Sequence, residues 1–210
     1  MAWGILNKEA TGRTAGIPHP GTFMISRAGV ILSRSFETLY TERRSAASIL
    51  ADVLPAARPG VAATVQGQHI TLRVSTSDAV VAPGRRLSLI VEVAPDPKVH
   101  VYAPGQQGYI PVRLLIDTDT AFRVHPGVYP AAKPYRFEPL QETVQVYDRP
   151  FVIRQEITIA LTPEVRNRAT AGETLNIKGA LEYQACDDKV CYRPETLPVS
   201  WALTLTPIVR

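Results

Sequence analysis

Thr174–Leu205, TLNIKGALEYQACDDKVCYRPETLPVSWALTL, places the only two cysteines of the chain between two segments of alternating hydrophobicity. Thr174–Gln184 enters as a strand and Leu197–Leu205 leaves as one, in the period of two that sends every second side chain to one face. Cys186 and Cys191, with Asp187, Asp188, Lys189 and Val190 between them, then flank a tight connection. There their Cα atoms can approach the roughly 5.5 Å that a disulfide needs. So small a ring removes little entropy from the unfolded chain and stabilises less than a bond closing a long loop. A weak staple makes a better switch.

Upstream of this stretch the same texture continues. Val61–Val65, His69–Ser75, Leu87–Val93, His100–Ala103, Val112–Ile116 and Phe151–Leu161 read as short strands. Turn signals separate them at Ala82-Pro83-Gly84, Pro95-Asp96-Pro97, Pro104-Gly105 and Ala171-Gly172-Glu173. With eighteen prolines in 210 residues, about eight strands so punctuated predict a mainly β fold, an immunoglobulin-like antiparallel sandwich. A barrel of equal strand count fits the same pattern. Between Pro126 and Asp148 the alternation breaks, and a stretch rich in proline and aromatics (Tyr129, Tyr135, Phe137, Tyr147) reads either as a long lid-like connection or as an irregular edge strand pinned by prolines.

Residues 1–57 differ from the rest. Gly21–Ile25, a turn at Ser26–Gly29, Val30–Phe36 and an alanine-rich helical pattern over Ser45–Leu54 predict strand, turn, strand and helix. The seam is Pro55–Gly60 (PAARPG), with a boundary near residue 58, so that 58–210 form the sandwich. The net charge of +4 is spread along the chain, which argues against nucleic acid, since phosphate recognition clusters its Lys and Arg. Arg43 and Arg44 read as part of a solvated helix face. No run reaches the roughly 18 apolar residues of a membrane span, so no direct membrane insertion is expected. Met1–Ala10 carries Asn7, Lys8 and Glu9 where a secretory leader would be apolar.

Three chemistries compete for the cysteine pair. Zinc would need two more ligands, and His19, His69, His100 and His125 show no paired spacing, so neither a metal nor a cofactor is expected. A purely structural hairpin clip in a secreted binding domain and a redox-active pair both fit the spacing. Lys189 favours a thiolate while Asp187 and Asp188 oppose it, leaving the local field mixed.

Tyr183-Gln184-Ala185-Cys186 followed by Cys191-Tyr192-Arg193-Pro194-Glu195-Thr196 resembles the active-site hairpin of the DsbD amino-terminal domain. Val99–Pro104 (VHVYAP) and Gly108–Ile116 (GYIPVRLLI) also resemble segments of DsbD-like domains, and the aromatic stretch Tyr129–Tyr147 falls where that family keeps a cap over its disulfide. The likeness spans roughly residues 62 to 207; the four-residue loop between the cysteines is one shorter than in the best-known member. The resemblance implies a periplasmic thiol-disulfide exchange module. It would take reducing equivalents from a membrane-embedded thiol reductase and pass them to thioredoxin-fold proteins, with Cys191 forming the mixed disulfide and Cys186 resolving it. Tyr102, Phe137, Tyr183, Gln184 and Tyr192 are its expected surround, the aromatic rings shielding the sulfurs. Residues 12–54, with Gly16–Ile25 (GIPHPGTFMI), resemble the closing half of a redoxin or peroxiredoxin-like thioredoxin fold whose catalytic half is missing. Lacking a cysteine before Cys186, this chain is not expected to be a peroxidase. A longer gene product carrying a leader and the opening half is the corresponding expectation upstream of Met1.

Overall fold

The computed structural model describes residues 5–37, 39–53, 63–137 and 141–208, except the side chain of Phe137. After a single 3-10 turn, the elements run β1 (Gly21–Ile25), β2 (Ile31–Phe36), β3 (Arg43–Arg44), α1 (Ala46–Val53), β4 (Ala63–Gln66), β5 (Ile70–Thr76), β6 (Val80–Val81), β7 (Arg85–Pro95) and β8 (His100–Tyr102). They continue with β9 (Arg113–Ile116), β10 (Phe122–Val128), β11 (Lys133–Phe137), β12 (Glu142–Tyr147), β13 (Phe151–Ile159), α2 (Pro163–Thr170), β14 (Thr174–Tyr183), β15 (Ala185–Cys186) and β16 (Glu195–Leu205). The chain is mainly β and its long pairings are antiparallel, in keeping with an immunoglobulin-like sandwich.

One sheet has the order β10-β13-β7-β5-β4, and a second β6-β16-β14-β9. The strict alternation of β16 sends Leu197, Val199, Trp201, Leu203 and Leu205 inward and leaves the residues between them exposed. Across the hairpin, Leu175, Ile177 and Leu181 of β14 lie opposite Leu203, Trp201 and Leu197, so one face of the pair is apolar. It packs on Leu72 and Val74 of β5, Leu89 and Val91 of β7, and Ile153 and Ile157 of β13. Trp201 donates its indole N–H to the Ser75 carbonyl at 3.0 Å, satisfying the one polar atom the ring would otherwise bury. Gly179 is required where β14 meets β9, because a Cβ there would lie 2.3 Å from the Leu115 carbonyl oxygen.

The middle of β7 is buried on both faces. Leu87, Leu89, Val91 and Val93 enter the sandwich core, while Ser88 and Ile90 are buried on the other side. There α1 covers the sheet, and the Ser48 and Ser88 hydroxyls meet at 2.9 Å. The amino-terminal segment thus lies against the sandwich, and β3 pairs in parallel with the start of β7. Arg43 and Arg44 therefore do not sit on a solvated helix face. The Arg44 side chain is largely buried and bonds Asp52 at 2.8 Å and Glu156 at 2.7 Å, charge pairing that draws it inward. The expected seam at 55–60 lies outside the described residues.

The stretch 126–148 is not a long structureless connection. β11 and β12 form a hairpin that joins β8 and β15 in a four-stranded sheet ordered β11-β12-β8-β15. Pro134 is accommodated because β11 is the edge strand, where no ladder N–H is demanded of it. α2, also unanticipated, starts at Pro163 behind Thr162, whose hydroxyl accepts from the Val165 N–H at 3.3 Å; its apolar residues are too few for a periodic signal. Among the described residues, no helix is long and apolar enough to cross a membrane.

Candidate functional site

β14 runs through Gln184 into the two residues of β15, which places Cys186 directly opposite His100 of β8. Cys186 and Cys191 are disulfide-bonded, with Cα atoms 4.0 Å apart. The loop between them is held by Asp187. Its carboxylate accepts the backbone N–H groups of Lys189 at 2.7 Å and Val190 at 2.8 Å, and the Tyr192 hydroxyl at 2.7 Å. These bonds, led by that from Val190, lower the Asp187 pKa to about 2. The Gln184 amide donates to the Tyr192 carbonyl at 3.0 Å, and the Tyr192 ring stacks on His69 at 3.8 Å. The hairpin tip is thus braced on both sides of the sulfurs.

The two sulfurs have different surroundings: Cys186 is 1% exposed, whereas Cys191 is exposed. Strand alternation explains the burial of the first. His100 and Tyr102 lie two apart on β8, Val146 is opposite Tyr102, and Tyr135 is opposite Val144, so all share the Cys186 face of the sheet. Cys186, Tyr102, Val144 and Val146 form a small core of their own, flanked by the half-buried Tyr109 and Tyr135. The Tyr109 ring stacks on Tyr102 at 4.2 Å, and His100 meets Tyr102 edge-on at 5.5 Å and Tyr135 at 4.6 Å. The Tyr102 hydroxyl lies 3.6 Å from Cys191 Sγ. Burial foremost, with Tyr109, Tyr135 and Glu142 nearby, raises the Tyr102 pKa to about 12, so it stays a donor toward that sulfur. Burial lowers the pKa of His100, against the opposite pull of Asp148 and Asp187.

Of the residues expected around the sulfurs, Tyr102, Gln184 and Tyr192 are brought to the hairpin. Tyr183 is in the main core. Its hydroxyl bonds Glu195 and donates to the Gln68 carbonyl at 2.8 Å, because it lies opposite Glu195 on β16. Phe137 ends β11 opposite Glu142, and its side chain lies outside the described residues. His100, weighed above only as a zinc ligand, and Tyr109 join the site as well, together with Tyr135 of the aromatic stretch Tyr129–Tyr147. The His100-Val101-Tyr102 alternation places His100 on the Tyr102 face and Tyr135 belongs to the aromatic stretch, whereas nothing local in the sequence marks Tyr109.

Chemically, the arrangement presents one sulfur to an incoming thiolate and backs the other with a low-polarity box. Attack at Cys191 would expel Cys186 inward, where it is out of reach of competing thiols.

The crystal structure of the N-terminal periplasmic domain of ScsB from Proteus mirabilis is similar, with 17% identity and a TM-score of 0.46 over 69% of this chain and 51% of that one. This chain thus spans about half the length of the Proteus structure. The reduced DsbD n-terminal domain of Neisseria meningitidis aligns with 14% identity and a TM-score of 0.39, over 75% of this chain and 98% of that one. No curated protein matches the sequence. The family model for the N-terminal region of thiol:disulfide interchange protein DsbD matches residues 70–200, which include Cys186, Cys191 and the whole aromatic box. With more than half its length matched, and a cysteine pair at bonding distance inside the match, the chain belongs to the family of the DsbD N-terminal domain.

Proposed function

We propose that this chain exchanges its Cys186–Cys191 disulfide with thioredoxin-fold proteins of the periplasm, carrying reducing equivalents received from a membrane-embedded thiol reductase. The observation behind this reading is the asymmetry of the pair, an exposed Cys191 in front of a Cys186 buried at 1%. A donor thiolate attacks Cys191 Sγ, a mixed disulfide forms, and the electron pair of the broken bond goes to Cys186. A second thiol of the donor then releases the reduced chain. In the opposite direction the reduced chain opens a partner's disulfide through Cys191, and Cys186 resolves the adduct. Tyr102, Phe137, Gln184 and Tyr192 are assigned to the surround, Tyr102 through its hydroxyl and Gln184 and Tyr192 through the hairpin they brace. Tyr183 supports the strand that carries them.

Residues 1–69 lie outside the family match, and the likeness of residues 12–54 to the closing half of a redoxin rests on sequence alone. As domain limits we propose 1–57 for that fragment and 58–210 for the exchange domain. The test is to incubate Cys186→Ala with oxidised thioredoxin-like proteins and trap mixed disulfides, alongside a measured reduction potential of the wild type. Adducts through Cys191 and a potential in the range of exchange proteins are expected. A potential below about −300 mV with no adducts belongs to a structural clip and overturns the proposal.

A further inference from the structure

When Cys186 resolves a mixed disulfide it must lose a proton, and when it is expelled it must regain one. Its surroundings make both difficult. Val144, Val146 and the Tyr102 ring give a nascent thiolate little solvation, and the Tyr102 hydroxyl is directed at the other sulfur. One titratable group that can change charge near neutral pH lies directly across the strand pair from Cys186. It is His100, itself 5% exposed. Directly opposed residues of an antiparallel pair place their Cβ atoms about 5 Å apart on the same face. The Tyr102 and Tyr135 rings contact the imidazole and hold it there.

We propose that His100, set across the strand pair from Cys186, takes the proton from that thiol as it closes onto Cys191 and, in the reverse step, relays to the expelled Cys186 a proton taken up from solvent. This inference rests on the exchange function above. In the closing direction the Cys186 proton moves to a ring nitrogen of His100, and Cys186 Sγ attacks Cys191 Sγ. The Cys186–Cys191 bond forms, the bond from Cys191 to the partner sulfur breaks, and the electron pair leaves with the partner thiolate. The pair of cysteines is oxidised, the partner sulfur is reduced, and the imidazolium gives its proton to solvent.

The groups facing His100 suit this task. Tyr102 from β8 and Tyr135 from β11 bring aromatic rings against it. Asp148, at the end of β12, is bonded to Lys133 at 2.7 Å, and Asp187 of the hairpin is engaged by its own loop. Burial keeps the imidazole neutral at neutral pH, ready to accept a proton, while the two carboxylates stabilise the imidazolium once it forms.

The probe is Ellman's reagent, 5,5′-dithiobis(2-nitrobenzoate), added to dithiothreitol-reduced protein. Cys191 reacts first, and attack by Cys186 on the adduct releases a second thionitrobenzoate that stopped-flow absorbance follows. For the wild type this second phase should level off above the His100 pKa, since proton transfer to neutral imidazole no longer depends on pH. In His100→Gln it should fall by roughly a hundred-fold at pH 7 and climb about ten-fold per pH unit, tracking the thiolate alone. His100→Gln with the wild-type rate and plateau overturns the inference, as does a wild-type profile rising without a plateau, a result that stands even if the variant fails to fold. Resistance of the native disulfide to dithiothreitol would overturn the exchange function itself and this inference with it. A bond that reduces normally, with a second phase indifferent to His100, would overturn the inference alone.

Discussion

Asp187 ties down the loop between the cysteines, and the Tyr102 hydroxyl lies against one of the sulfurs. Asp187 is ionised at every ordinary pH because its loop amides and Tyr192 bond the charged form. A carboxylate with its pKa lowered on folding contributes stability that is complete above its unfolded value, about 4, and lost as pH falls toward 2. Amide exchange at Lys189 and Val190 should therefore be slow at neutral pH, and Asp187→Ala should accelerate it at both positions. Tyr102 donates toward Cys191, and a hydrogen bond to a thiolate favours that form. Tyr102→Phe should consequently raise the Cys191 thiol pKa in the reduced protein, read from the pH dependence of alkylation, and change stability by only about 1 kcal/mol.

At the scale of elements, the β11–β12 hairpin is what turns a sheet edge into a box. Tyr135 reaches the Cys186 face because β11 pairs with β12 in the register Tyr135↔Val144, and β12 in turn pairs with β8. Tyr135→Ala removes one wall without touching the ladder. Reduction of the disulfide by a small thiol should quicken roughly five-fold, equivalent to about 1 kcal/mol of barrier. An unchanged rate would show that the hairpin does not shield the pair. The β14–β16 hairpin has a different task, since Leu181 is fully buried opposite Leu197 and supports the strand leading to Cys186. Leu181→Ala should cost about 2–5 kcal/mol in urea unfolding, the range for a cavity in a packed core. Opening the disulfide should cost only about 2 kcal/mol by chain entropy, so Cys191→Ala stays folded.

Across the whole molecule, the amino-terminal segment and the sandwich are joined by charge as much as by packing. Arg86 of β7 bonds the buried Glu37 at 2.6 Å and also meets Glu42 and Glu156, while Arg123 bonds Glu42 at 2.5 Å. Removing one partner leaves the others as uncompensated charges in a poorly solvated place. Arg86→Met should therefore destabilise the protein by about 3 kcal/mol, measured as a shifted urea midpoint. In contrast, Ile25, Val30, Ile31 and Leu32 of the β1–β2 hairpin are exposed, so substitutions there should leave the midpoint nearly unchanged.

Local information was enough for much of this. The alternation of Thr174–Tyr183 and Leu197–Leu205 marks a half-buried strand pair because successive side chains of extended backbone must point to opposite faces, and the only two cysteines can pair only with each other. The motif around them carries the family resemblance without any coordinates. Assembly of the site was decided only in three dimensions. His100, Tyr109 and Tyr135 come from separate segments, Arg44 is half-buried through a strand pairing 42 residues away in sequence, and β11 forms beside β12 despite Pro134 because it is an edge. Steric periodicity is written within a few residues, whereas which faces meet depends on how sheets close over long chain separations.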